Sequence, residues 1–247
     1  MRNPVTLLAL GAVVGGLGAG EAWSAEDDFA EQRGQMVEAV EQHAGSAGAA
    51  LDGEPLDPAV LQVMNDVPRH EFVPEDVRGE AYQDRPLPIG YGQTISQPFI
   101  VGLMTDLLDL EDGDKVLEVG TGSGYQAAVL SPLADQVYSI EIVPELGATA
   151  EQALERVGYA NVETKVGDGY YGWPEHAPFD AIVVTAAANH IPPPLIEQLK
   201  PGGHMIIPVG SAFFSQQLVL VEKKEDGKIT TRQLLPVRFV PLTGEHS

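Results

Sequence analysis

The chain has 247 residues, 44% of them apolar, which is enough for one α/β domain with an extension and a sizeable core. With 36 Asp and Glu against 14 Lys and Arg, its formal net charge is −22, and such a surface repels nucleic acid and anionic membrane. Cysteine is absent, which excludes disulfides, thiol nucleophiles and thiolate metal sites.

Residues 1–25 read as a leader-like or disordered segment. Arg2 precedes the apolar run Val5 to Leu17, and small residues follow; Gly20 and Ala22 suit cleavage after Ala22. The run is short and broken by glycine, so no stable membrane association is expected. Residues 26–58 form a polar extension and linker. Phe29, Met36, Val37 and Val40 fall at roughly helical spacing, and a Gly/Ala/Pro-containing connector follows. Residues 59–247 form the main domain. At its edge, Asp57 before Pro58 predicts a helix start, with Val60, Leu61, Met64 and Val67 at helical spacing and Pro68 as the stop. Residues 69–74 read as a turn re-entering an extended segment. Residues 81–98 read as a loop rich in Pro, Gly and polar side chains. Phe99 to Leu110 reads as a helix with Ile100, Met104, Leu107 and Leu108 on one side. Thr94, Ser96 and Gln97 therefore lead into a helix, where they serve either as a cap or as site groups.

The most informative stretch is Lys115 to Gln126. Val116, Leu117 and Val119 predict a buried strand, Gly120, Gly122 and Gly124 a tight turn, and Tyr125 to Leu133 a helix. This is the nucleotide-binding corner of a doubly wound α/β sheet. A second strand, Gln136 to Ile142, carries Glu141 roughly 20 residues past the turn, where a carboxylate suits ribose hydroxyls. A third, Val162 to Val166, leads into Gly167-Asp168-Gly169, and Asp168 can accept from an adenine amino group. The glycine spacing departs from the dinucleotide pattern, and Glu118 sits two positions before the first glycine. Pyrophosphate is repelled by that carboxylate, whereas a sulfonium and an ammonium are attracted. The charge logic favours S-adenosyl-L-methionine over NAD.

Phe179 to Thr185 reads as a fourth, fully buried strand, 192–199 as a short helix closed by Lys200-Pro-Gly-Gly203, and His204 to Val209 as a fifth strand. Residues 216–222 and 229–235 read as a hairpin around Glu225-Asp-Gly227.

Five segments together carry a resemblance: residues 116–126, Gly-Gln-Thr-Ile-Ser-Gln-Pro at 92–98, Gly-Asp-Gly at 167–169, Leu-Lys-Pro-Gly-Gly at 199–203 and Val-Pro-Leu-Thr at 240–243. Over about Leu61 to Thr243 the chain resembles the protein-L-isoaspartate O-methyltransferases, class I S-adenosylmethionine-dependent enzymes. The resemblance implies a Rossmann-like methyltransferase fold: a doubly wound, mostly parallel seven-stranded sheet with helices on both faces and an altered order among the last strands. It implies methyl transfer from S-adenosyl-L-methionine to the free carboxylate of L-isoaspartyl residues in damaged proteins, with repair through a succinimide. The alternative is an S-adenosylmethionine-dependent methyltransferase acting on a small molecule. The implied catalytic residue is Ser96, which orients the substrate carboxylate. The implied cofactor residues are Thr94, Ile95, Gln97, Glu118, Gly120, Gly122, Glu141, Asp168, Gly169 and Thr243. Val237, Arg238 and Val240 would meet substrate backbone as an added strand. No metal is expected. The implied protein is a monomer in the cytoplasm, with periplasmic or other export as the alternative the leader raises.

Overall fold

The computed structural model describes residues 20–48, 53–211 and 214–244. Most of the leader-like segment lies outside these residues; helix α1 (Gly20–Ser46) begins within its last part. Met36, Val40 and Ala44 of α1 are buried and join the main core, and Phe29 stacks on His70 with ring centres 4.0 Å apart.

Helix α2 (Pro58–Asp66) starts as the sequence indicates: the Asp57 carboxylate accepts from the Ala59 N–H at 2.7 Å. After Pro68 the expected turn is a 3₁₀ turn, Arg69–Phe72, and a second one, Glu75–Glu80, follows where an extended segment was expected. The expected loop over 81–98 contains a small antiparallel hairpin, β1 (Leu87–Gly90) and β2 (Gln93–Ile95). Its Pro and Gly content disguised it, and the register breaks between Pro88 and Gly90. Helix α3 (Pro98–Asp106) is apolar on nearly every side, so the one-sided face expected for it is not seen; Phe99, Val101, Leu103 and Met104 are all buried.

The central sheet has seven strands in the order β5-β4-β3-β6-β7-β8-β9. They are β3 (Lys115–Val119), β4 (Gln136–Glu141), β5 (Val162–Val166), β6 (Phe179–Val184), β7 (Leu199–Val209), β8 (Gln216–Lys223) and β9 (Ile229–Val237). Strands β3 to β7 are parallel, β8 runs against them, and the last three follow in chain order. Alternation across the pleat feeds two cores. Val116, Ala181 and Val183 pack on the side of α1 to α5, while Leu117, Val119, Ile182 and Val184 pack on the side of α6 (Pro193–Gln198). The intervening helices α4 (Tyr125–Leu130) and α5 (Pro144–Val157) link β3 to β4 and β4 to β5. Strand β7 begins earlier than expected, because Lys200-Pro-Gly-Gly203 continues the strand where the sequence suggested a helix stop. The parallel strands end together at the carboxyl edge of the sheet, where ligands of such folds bind.

Candidate active site

Strand β3 delivers Glu118 and Val119 to the glycine turn. Gly120 has φ +101°, and a β-carbon there would collide with Thr185 Oγ1, which itself donates to the Gly120 carbonyl at 2.6 Å. The turn is held against β4 by Glu141: one carboxylate oxygen accepts from the Gly122 N–H at 2.8 Å, the other from the Val143 N–H at 2.9 Å. Each oxygen keeps a lone pair for a further donor, as two vicinal hydroxyls would require.

Glu118 is fully buried. Its Oε2 accepts from Ser139 Oγ at 2.5 Å, and that hydroxyl lies 2.5 Å from Thr121 Oγ1. Its Oε1 has no hydrogen-bond partner. Burial pushes the carboxyl up to about 8; the Ser139 bond opposes that rise and the charge of Glu141 adds to it. A buried carboxylate oxygen without a partner is costly, and an ammonium or sulfonium placed against it removes the cost. The residues present therefore fit S-adenosylmethionine, and they do not fit a pyrophosphate.

A first cleft is lined by Thr94, Ile95, Ser96, Glu118, Gly120, Gly122, Glu141, Gly169, Val240 and Thr243. Eight of the ten expected cofactor residues line it, together with Ser96 and Val240, which were expected on the substrate side; Gln97 and Asp168 are not in its lining. Gln97 lies on the wall of a second cleft, where its amide donates to Asp84 Oδ2 at 3.2 Å. Asp168 lies behind Gly169: its carboxylate accepts from the Tyr170 N–H at 3.0 Å, and Gly244 packs against it.

The second cleft, about 490 Å³, is lined by Ser96, Val237, Arg238 and Val240 together with His43 of α1, Phe99 and Ser215. In a chain of net charge −22, no carboxylate lines this cleft among the described residues, and Arg238 does. Such a wall suits an anionic substrate. The carbonyl of Val240 already accepts from the Ala187 N–H at 2.8 Å, so that group is taken before any substrate strand arrives. The two clefts share Thr94, Ser96, Thr185 and Val240 in their linings.

Ser96 does not cap α3; Asp84 does. The N-cap of α3 is Gln97, with no side-chain cap bond, and the Phe99 N–H donates instead to Asp84 Oδ1 at 2.8 Å. Asp84 also pairs with His43. Thr185, Asp84 and His43 went unremarked as site residues in the sequence. Thr185 follows a buried parallel strand at its carboxyl end, which is a usable signal; nothing local marks the other two. Among the described residues, no group of three or more His, Asp or Glu side chains could hold a metal ion.

A doubly wound sheet whose first glycine turn is flanked by a buried, half-satisfied carboxylate and a second carboxylate at the next strand tip defines a class I S-adenosylmethionine-dependent methyltransferase. Residues 52–247 match the family model of protein-L-isoaspartate(D-aspartate) O-methyltransferase. A protein-L-isoaspartate O-methyltransferase 1 of Cupriavidus necator is 61% identical over 90% of this chain and 86% of its own length. A protein-L-isoaspartate O-methyltransferase 2 of Syntrophobacter fumaroxidans is 58% identical over 98% of this chain and 96% of its own. A solved structure of a protein of this kind from Plasmodium falciparum, in complex with S-adenosyl-L-homocysteine, aligns with TM-score 0.67 and 26% identity over 83% of this chain and 97% of that one. The chain belongs to the protein-L-isoaspartate O-methyltransferase family and uses S-adenosyl-L-methionine to methylate proteins that carry isoaspartyl residues.

Proposed function

We propose that Ser96 orients the isoaspartyl carboxylate at the point where the two clefts meet. The observation that carries this is the shared lining: a cofactor in the first cleft and a peptide in the second approach each other at Thr94, Ser96, Thr185 and Val240. Bound S-adenosylmethionine supplies an electrophilic methyl group on a sulfonium. The residues that would hold it are Glu118 at the methionine ammonium, Glu141 at the ribose, Gly120 and Gly122 through their backbone, and Thr94, Ile95, Gly169 and Thr243 along the walls. Asp168 would hold the adenine amino group.

The protein itself has little chemistry to perform. The substrate carboxylate is already ionised at neutral pH, so no general base is needed. Ser96 is an orienter, and its hydroxyl would donate to one carboxylate oxygen and leave the other free to attack. Arg238 favours the anion's arrival, and residues 237–240, apart from the Val240 carbonyl, offer a strand edge for peptide backbone. Alignment and exclusion of water supply the rate. The backbone nitrogen of the following residue then attacks the ester and displaces methanol, closing a succinimide without further help, which is how repair begins.

The same reading gives a soluble monomer with no nucleic-acid partner, consistent with the acidic composition. It gives 1–25 as a leader-like segment, 26–58 as an extension laid on the 59–247 domain, and the cytoplasm as the site of action, where the cofactor is made. The leader-like composition supports export as the alternative. Among the described residues no helix is long and apolar enough to cross a membrane.

The test of the activity is methyl transfer from labelled S-adenosylmethionine to a matched pair of peptides, one with L-isoaspartate and one with aspartate. Base-labile label on the isoaspartyl peptide alone is the expected result. Label on neither peptide, with cofactor binding intact, would refute it.

A further inference from the structure

The Arg69 guanidinium is fully buried. Its Nε donates to the Ala81 carbonyl at 2.7 Å and its Nη2 to the Ser96 carbonyl at 2.7 Å. Its central carbon lies 4.6 Å from the centre of the Tyr125 ring. Its Nη1 has no hydrogen-bond partner. Burial holds the group below its usual pKa, and the attraction of Tyr125 and Asp84 offsets part of that penalty. A cation kept in such a place is expensive, and an apolar side chain would cost far less.

What the charge holds is the segment that carries Ser96. Ala81 and Ser96 are the two ends of one segment, and the middle of that segment is the β1–β2 hairpin. This hairpin is a separate two-stranded sheet that does not join the seven-stranded one. An isolated two-stranded hairpin is marginal in water. The position of Ser96 thus depends on how the segment's ends are tied. Tyr125, on which the guanidinium rests, lines the cofactor cleft.

We infer that Arg69 is a positioning residue for methyl transfer: its planar fork ties together the two ends of the 81–96 segment, sets Ser96 at the junction of the clefts, and braces that junction on the Tyr125 wall. The inference rests on the proposed role of Ser96. Lysine cannot replace it, because one ammonium lacks a rigid fork aimed at two carbonyls while stacking on a ring.

The experiment compares Arg69→Lys, Arg69→Ala, Ser96→Ala and the unaltered protein. It measures kcat and KM for an isoaspartyl peptide, the Kd of S-adenosyl-L-homocysteine by calorimetry, and amide exchange over residues 87–96. Rates are normalised to the fraction that binds S-adenosyl-L-homocysteine, which removes loss through misfolding. For Arg69→Lys the expected result is a kcat lower by about 100-fold, the order that a 1 Å misplacement costs. Peptide KM rises several-fold, Kd stays within about threefold, and exchange over 87–96 becomes faster. Guanidinium ion added to Arg69→Ala restores part of the turnover. For Ser96→Ala, turnover falls while exchange over 87–96 is unchanged.

Normalised turnover of Arg69→Lys within about twofold of the unaltered protein would overturn the inference. So would unchanged exchange over 87–96. A Kd weakened as much as kcat would overturn it as well, since that reports collapse of the whole site. If Ser96→Ala keeps full turnover, the role of Ser96 fails by itself, and the tie is then judged on exchange and peptide KM.

Discussion

Glu118→Gln gives the sharpest reading of the cofactor cleft. The substitution keeps shape and hydrogen-bonding capacity and removes the ionisation. In the protein without cofactor, the Glu118 carboxyl titrates near 8, raised by burial from an ordinary value of 4.5. Between these two pH values the unfolded chain has released its proton and the folded one still holds it. The folded state binds more protons there, so stability falls as pH rises through the window and is flat above it. Each pH unit is worth about 1.4 kcal/mol, so the whole window amounts to roughly 5 kcal/mol, a ceiling because water entering an open cleft screens the charge. In a chain of this size that corresponds to a Tm difference on the order of 10 °C. Thermal melts of both proteins from about pH 5 to about pH 9 should therefore diverge, the unaltered protein losing ground to Glu118→Gln as pH rises. Cofactor binding should reverse the effect, because a cation beside Oε1 favours the carboxylate. Calorimetry in buffers of different ionisation enthalpy should show about one proton released near neutral pH, and none from Glu118→Gln. Parallel melting curves, or equal proton release from both proteins, would refute the argument.

Three further substitutions address the rest of the site. Ser96→Ala should lower kcat by roughly 10²-fold, the usual cost of one lost orienting donor, with the Kd of S-adenosyl-L-homocysteine nearly unchanged; steady-state kinetics with unchanged turnover would remove Ser96 from the chemistry. Asp168→Ala should weaken cofactor binding by about tenfold, equal to about 1.4 kcal/mol; an unchanged Kd would take Asp168 out of the adenine site and leave it as the cap of the Tyr170 turn. Gly120→Ala forces a side chain into a left-handed conformation against Thr185 Oγ1. It should cost about 1–3 kcal/mol of stability and most of the cofactor affinity, and a melt and a binding isotherm that both match the unaltered protein would show that the turn relaxes freely.

Much of the fold was legible because its signals are local. The strand, glycine turn and helix at 115–130 need only a run of apolar residues and three glycines. The β8–β9 hairpin announces itself through Glu225-Asp-Gly227, and the Asp57 cap through the proline that follows it. Elements with mixed local signals were harder to read. The β1–β2 hairpin is built from Pro, Gly and polar residues, α5 starts after Val143 with no side-chain cap to mark it, and the Pro-Gly-Gly at 201–203 lies within β7 without ending it.

By itself the sequence determined the kind of cleft: carboxylates at successive strand tips, a glycine turn between them, and a Glu118 that welcomes a cation. These follow from residue type and strand period, which the chain carries position by position. Only the tertiary structure decided where the two clefts meet, that Asp84 and not Ser96 caps α3, that His43 of the extension reaches the second cleft, and that Arg69 is buried between Ala81, Ser96 and Tyr125. The Arg69 contacts alone join residues 12 to 56 positions apart in the chain, and no local pattern records them. They arise when packing excludes water from a charge and leaves it only the partners that the fold brings near.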